Sequence, residues 1–272
     1  MMRDKQQIVV MSVAGFDPSA GAGVLADIKT MSAFGCYGVA AVTSLTLQNT
    51  QGVFGAYHQG GEAVRRQIEP LFDDFDIAAV KTGMLPGAGV VQEVAEVIRS
   101  RSVRHLVVDP VVVSTSGFDL IDDKALEALV NCLFPLASVV TPNAAEAGRI
   151  TGTTVKDGAG MQRAAEAILA MGPRAVLVKG GDMQSEQATD LLLDSTDAAA
   201  GITFSAKRVR SDSTHGTGCT LASALACLLA RGYALRDSVP IAKQYVYKAI
   251  RGAPGLGRGH GPLNHFAHDF DM

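Results

Sequence analysis

Short apolar runs recur along the chain, and amphipathic stretches separate most of them. The runs "IVVMSVA" (8–14), "VAAVTSLTL" (39–47), "IAAVKTG" (77–83), "HLVVDPVV" (105–112), "SVVTPN" (138–143), "AVLVKG" (175–180), "TDLLLD" (189–194) and "GITFSAKRV" (201–209) predict strands. Helical periodicity fills the gaps between the first six, at 22–34, 60–72, 87–100, 122–134 and 143–171, the last broken near Gly152. Two more helices are expected at 217–231 and 236–251. The strands are apolar throughout rather than alternating, so both faces are buried. With helices between them they make a mostly parallel central sheet in an α/β fold, a three-layer α/β/α sandwich. The pair within 189–209 has no intervening helix and predicts an antiparallel edge hairpin. No linker, repeat or composition break divides the chain, so residues 1–272 read as a single domain.

Composition narrows the function classes. Apolar residues make up 47% of the 272 and charged residues 19%, which supports a large core. The net charge of −3, without a basic block, argues against nucleic acid or a membrane surface as partner. The apolar run in "MMRDKQQIVVMSVAG" is too short for a signal peptide or a membrane span. Cys36, Cys132, Cys219 and Cys227 form no C-x-x-C pair and no zinc-like spacing. Unpaired thiols fit a cytoplasmic protein.

Polar and glycine residues gather just after the strands, in "GFDPSAGAG", "QNTQG", "GMLPGAG", "DPVVVSTSG", "TPNAAE" and "KGGD". Parallel sheets bind ligands at the carboxyl ends of their strands, so these loops are expected to line one cleft. "GAGVLAD" (21–27) imitates a dinucleotide fingerprint, but the next strand ends in Gln48 and Asn49 rather than a ribose-binding acid. That disfavours a Rossmann oxidoreductase. "HGTGC" (215–219) opens a helix. Gly216 and Gly218 lack the Cβ atoms that would obstruct a phosphate, and Thr217, Gly218 and Cys219 would offer backbone donors. Lys179 follows a buried strand and points a cation at the cleft. Asp109 precedes Pro110 at another strand end. Asn143 and Glu146 have the spacing of a capping box. His215 and Cys219 could pair as in a cysteine hydrolase, but acyl transfer leaves the lysine and the carboxylates without a purpose.

These motifs, in this order, resemble the ribokinase-like superfamily. Within it they look like the hydroxymethylpyrimidine/phosphomethylpyrimidine kinases of thiamine biosynthesis. The resemblance rests on "AGFDPSAGAGVLADIKTMSAFGCYG" (14–38), "QNTQGV" (48–53), "KTGML" (81–85), "DPVVVSTSG" (109–117), "TPNAAEA" (141–147), "VKGG" (178–181), "HGTGCTLASALA" (215–226) and "GRGHGPLNHF" (257–266). Ser213 departs from the Asp or Asn usual before Thr-x-Gly, and "NAAEA" lacks the usual Leu-Pro. Cys219, where most sugar kinases of the superfamily carry Asp, points to the pyrimidine branch or to pyridoxal kinases.

The resemblance implies an ATP-dependent kinase that phosphorylates 4-amino-5-hydroxymethyl-2-methylpyrimidine and then its monophosphate. The alternatives are a pyridoxal/pyridoxine kinase and a catalytically silent ligand-binding protein. The resemblance places the pyrimidine near Gly15, Asp27, Gln48, Met84 and Val111. It places ATP near Lys179, Thr214, Thr217 and Gly218, and Mg²⁺ near Asp109 and Glu146. Cys219, Lys179, Gly216 and Gly218 become the catalytic set. A helix N-terminus favours a thiolate, so Cys219 is expected to titrate near neutral pH as the general base. The resemblance also suggests a homodimer.

Overall fold

The computed structural model describes residues 7–112, 120–181, 183, 185–196 and 201–266. The segment 113–117 of the "DPVVVSTSG" motif lies outside the described residues. Among the described residues, nine strands join one sheet: β1 (Val9–Phe16), β2 (Tyr37–Asn49), β3 (Gly52–His58), β4 (Ile77–Thr82), β5 (Leu106–Val108), β6 (Val139–Val140), β7 (Ala175–Val178), β8 (Gln187–Asp194) and β9 (Ile202–Lys207). Their spatial order is β3-β2-β1-β4-β5-β6-β7-β8-β9. From β2 to β7 neighbours are parallel. Antiparallel pairing finishes both edges, through β3 on one side and β8 and β9 on the other.

The helices are α1 (Gly23–Ala33), α2 (Gly61–Asp74), α3 (Ala88–Ser100), α4 (Asp123–Ala128), α5 (Ala144–Thr151), α6 (Gly158–Leu169), α7 (Thr217–Ala230) and α8 (Leu235–Arg251). Alternation along the strands sorts them into layers. Leu106, Val108, Val176 and Val178 pack with α2, α3 and α6. Val107, Ala175 and Leu177 face the other way, onto α1, α7 and α8. Each fully buried Val or Leu side chain contributes roughly 1.5–3 kcal/mol.

Three expectations need correction. β3 was not foreseen: it contains two glycines, and Phe54 and Tyr57 are exposed, so it lacks the apolar signature of a buried strand. Two strands stop early, at Val108 and Val140, because Pro110 and Pro142 cannot donate to a ladder. The helix expected at 122–134 is α-helical only to Ala128. A π turn over Leu129–Leu133 and a 3₁₀ turn over Phe134–Leu136, with Pro135 inside it, complete the segment. The break near Gly152 occurs where that residue adopts φ 70° and ends α5.

Two polar assemblies hold the layers in register. Asp27 on α1 is fully buried. It accepts from Ser12 Oγ on β1 (2.6 Å), Ser223 Oγ on α7 (2.7 Å) and Lys81 Nζ on β4 (2.8 and 2.9 Å). Burial works against the charge on Lys81, and the Asp27 carboxylate outweighs it, holding its pKa above the ordinary lysine value. The second assembly is the segment after α8. Gly259 N donates to Thr50 Oγ1 (3.4 Å), Gly261 N to Asp212 O (3.2 Å) and Asn264 N to Ala249 O (3.0 Å). Tyr245 Oη donates to His265 O (2.9 Å), and His265 Nε2 lies 3.1 Å from Thr220 Oγ1.

Replacing Lys81 strands a buried carboxylate. Lys81→Met should therefore cost about 3–5 kcal/mol in urea unfolding, and adding Asp27→Leu should recover much of it. A loss below about 1 kcal/mol for the single variant would show that the pair is dispensable.

Burial, aided by Lys29, lowers His265 to about 4. Its folded value lies below the unfolded one, so stability is complete above about pH 6.5 and declines as pH falls toward 4, by roughly 3 kcal/mol at most. Chemical denaturation across this range should show that decline, and His265→Asn should flatten it.

Candidate active site

A cavity of ≈ 390 Å³ opens at the carboxyl ends of β1, β2, β4, β5, β6 and β7. Gly15 and Met84 line it, and a Cβ on Gly15 would come within 2.7 Å of Met84 Cε. Val111 lines it, as do Gln48, Asp109, Glu146, Lys179 and the whole of Thr214–Cys219. A second cavity of ≈ 540 Å³ lies alongside, walled by Arg208, Lys243, Leu221, Val246, Tyr247 and Ile250. Both are bounded by Asn143, Lys179, Thr214, Thr217 and Gly218.

Lys179 leaves the end of β7 with its amide bonded to Pro142 O (2.8 Å). Its Nζ donates to Asp109 Oδ1 (2.9 Å) and stands 4.0 Å from Glu146 Oε2. Burial opposes the ammonium charge, but Asp109 and Glu146 outweigh it and hold its pKa above the ordinary value. Asp109 Oδ1 also accepts from Thr141 Oγ1 (3.0 Å). Its Oδ2 makes no hydrogen bond among the described residues and faces Gly218, where a Cβ would lie 3.6 Å away. Glu146 closes the capping box: Asn143 N donates to Oε2 (2.7 Å) and Glu146 N to Asn143 Oδ1 (2.8 Å). No group of three or more His, Cys, Asp or Glu gathers into a metal cage among the described residues. Two carboxylates beside a phosphate-sized space fit an ion that takes its remaining oxygens from phosphate and water.

The loop at α7 is fixed by its glycines. Gly216 has φ 84°, and a Cβ there would drive into Gly21 O. The amides of Gly218 and Cys219 find no acceptor among the described residues, so they are open to an anion. The Thr217 amide donates to Thr214 O (3.3 Å), so the expected three-donor cradle is reduced to two open donors.

Other expectations change with the geometry. Asp27 lines neither cavity; it is committed to Lys81, Ser12 and Ser223 beneath the floor. Cys219 is not a ready thiolate: burial pushes its thiol up to about 11, against the pull of Lys81. The helix N-terminus favours the thiolate, but desolvation outweighs it here. His215 makes no hydrogen bond to Cys219 among the described residues, and its Nε2 is 2.7 Å from Asp17 Oδ2. That separates the two members of a cysteine–histidine dyad. Gly21 and Gly23 serve close packing, because Cβ atoms there would strike His215 and Gly15 O. This accounts for the dinucleotide-like spacing without a nucleotide.

Asp17, Asn143 and Arg149 also line the first cavity, and sequence reasoning gave them no part in binding. Asp17 sits in "FDPSAG", where Asp-Pro-Ser reads as turn chemistry alone. Burial raises the Asp17 carboxyl, but hydrogen bonds from His215 and Ser19 more than offset it, leaving its pKa below the usual value.

The chain is similar to known proteins in sequence and in fold. A hydroxymethylpyrimidine/phosphomethylpyrimidine kinase of Streptomyces coelicolor is 46% identical over 257 residues, covering 94% of each chain. One of Rhizobium meliloti is 44% identical over 261 residues, covering 95% of this chain and 97% of its own. The thiamine biosynthesis bifunctional protein of Geobacter sulfurreducens is 44% identical, and the chain spans about half (52%) of its length. Among solved structures, a pyridoxal kinase from Staphylococcus aureus, in complex with AMP-PCP and pyridoxal, aligns with TM-score 0.87 and 29% identity, covering 96% of this chain and 94% of that one. A phosphomethylpyrimidine kinase from Clostridium difficile aligns with TM-score 0.78 and 38% identity, covering 90% and 100%. Residues 17–264, which hold every strand after β1 and the cradle between the cavities, match the phosphomethylpyrimidine kinase family, and the chain belongs to that family.

Proposed function

We propose that residues 1–272 form one kinase domain and that the kinase is cytoplasmic. It transfers the γ-phosphoryl group of ATP to 4-amino-5-hydroxymethyl-2-methylpyrimidine, and then to the resulting monophosphate. The observation that carries this reading is the meeting of two cavities at Lys179 and Gly218. The first, with Gly15, Gln48, Met84 and Val111 in its walls, takes the pyrimidine. The second, with Arg208 and Lys243 beside Leu221, Val246 and Ile250, takes the nucleotide.

Each residue has a part in the transfer. The Gly218 and Cys219 amides hold a phosphate at the start of α7, with Thr214 and Thr217 beside it. Lys179 neutralises the charge that spreads over the phosphoryl oxygens. Asp109, through Oδ2, and Glu146 are the carboxylates suited to Mg²⁺, which when bound supplies further charge neutralisation on the phosphates. Cys219 lies beside the entering hydroxymethyl oxygen, and its minor thiolate form receives the hydroxyl proton late, in a loose transition state, to become the thiol. A homodimer fits the β2–β3 hairpin. Thr46, Gln48 and Val53 turn inward to the cavity, while Leu45, Leu47 and Tyr57 remain exposed on the other face.

The test is ATP consumption with the hydroxymethylpyrimidine, with products resolved as mono- and diphosphate. Pyridoxal runs in parallel, because the pyridoxal kinase fold matches this one with a TM-score of 0.87. Absence of any pyrimidine phosphate would end the proposal, and faster turnover of pyridoxal would replace it with the second reading.

Lys179→Ala is expected to lower kcat by more than about tenfold while pyrimidine affinity holds, because its charge acts on the transferring group. Wild-type turnover in that variant would assign Lys179 to structure alone.

With Cys219 pushed up to about 11, few molecules carry the thiolate at neutral pH. If it accepts the proton, kcat/KM rises by about tenfold per pH unit from neutral into the alkaline range. Cys219→Asp should flatten that rise. A pH-independent wild-type profile between about pH 6 and 9 would remove the cysteine from this role.

A further inference from the structure

Asp17 and His215 line the first cavity but have no part in the transfer itself. Every partner of the buried Asp17 carboxylate is a donor. Oδ1 accepts from Ser19 N (2.8 Å) and Ser19 Oγ (2.7 Å), and Oδ2 from Gly21 N (3.2 Å) and Ala22 N (2.9 Å). His215 Nε2 lies 2.7 Å from the same Oδ2. A ring nitrogen at that distance must carry the proton, because two lone pairs would repel. The ring has little freedom to turn: the Gly21 backbone packs on its Cδ2 edge, and His215 N is bonded to Gly261 O (3.2 Å).

Gln48 feels that proton. Its Nε2 stands 3.1 Å from His215 Nε2, and its Oε1 stands 3.1 Å from Thr46 Oγ1. This direction sets two donors against each other at the histidine. It also asks Thr46 for a second proton, since Thr46 Oγ1 already donates to Phe16 O (3.0 Å) and a carbonyl can only accept. The nitrogen and oxygen of an amide share one outline, so surrounding hydrogens decide its direction. Turning the amide over removes both conflicts: Oε1 becomes the second, weaker acceptor of the one His215 Nε2–H, which it shares with Asp17 Oδ2, and Nε2 donates to Thr46 Oγ1.

We infer that Asp17 and His215 are specificity-determining residues, which lock the Gln48 amide with its oxygen on the His215 side and its nitrogen on the Thr46 side. The inference rests on the aminopyrimidine reading for its ligand. Toward the cavity the locked amide retains an oxygen lone pair beside an N–H. Its complement is a ring nitrogen flanked by an exocyclic amine, with the amine on the His215 side. An oxo group in place of the amine would set two acceptors face to face. The pair therefore selects 4-amino over 4-oxo pyrimidines while standing behind the residue that touches the ring.

Two measurements on the intact protein decide it. The first is side-chain ¹H–¹⁵N correlation NMR without substrate, with the His215 ring identified by its loss in His215→Gln. A proton on Nε2 is expected. A ring carrying its proton on Nδ1 alone would overturn the inference, whatever the enzyme phosphorylates. The second is kcat/KM for the 4-amino substrate against its 4-oxo counterpart. His215→Leu frees the amide, and the preference should fall by about tenfold or more, chiefly through KM of the amine, with kcat nearly retained. His215→Gln restores a donor toward Asp17 and Gln48 and should recover part of the preference. An unchanged ratio in His215→Leu would also overturn the inference. If neither pyrimidine is phosphorylated, the functional reading fails, and the NMR result still decides the proton placement.

Discussion

Asp27 is the point at which the layers of this protein are fastened together. One carboxylate, carried by α1, binds a serine from β1, a lysine from β4 and a serine from α7. Removing a carboxylate and an ammonium from water costs several kcal/mol per ion, and the ion pair with its two hydroxyl donors offsets that cost. The arrangement tolerates little slippage, because a shift of β4 unpairs the two charges and a shift of β1 or α7 leaves the buried carboxylate short of a donor. It lies directly under α7, whose first turn carries the open amides and Cys219. Ser223 is one helical turn beyond Cys219, so the bond to Asp27 also fixes the rotation of α7 beneath the cradle.

Charge compensation governs the upper half of the site as well. Lys179 stands between Asp109 and Glu146. The capping box that starts α5 ties Glu146 to Asn143, so a local helix-start motif also aims a carboxylate. Capping and function are not rival explanations for Glu146; the first supplies the rigidity that the second requires.

The layered fold could be read from the chain because its main signal is strong: strands buried on both faces are apolar at every position, and helices between them force parallel pairing. Lys179, Asp109 and the Gly216–Gly218 turn could be read because strand ends and helix starts place side chains predictably. What escaped depended on long-range neighbours. β3 is an edge strand, with too few buried residues to announce itself. The resemblance places Asp27 at the pyrimidine, and nothing in its own helix reveals Lys81, which lies 54 positions away. The titration of Cys219 departs from the expectation because local helix polarity is visible in sequence and desolvation is not. Asp17 and His215 are 198 positions apart, and only the closed fold makes them one unit.

The segment over Gly257–His265 follows every strand and helix among the described residues, yet it ties down the β2–β3 turn through Thr50 and the α7 loop through Asp212 and His215. Glycines at 257 and 259 are obligatory, since side chains there would overlap Thr50. During synthesis the sheet and its helices can therefore assemble while the cradle is still unsupported. The 257–265 segment must itself emerge before the walls of the cavity are braced, so catalytic competence follows the emergence of the core rather than accompanying it.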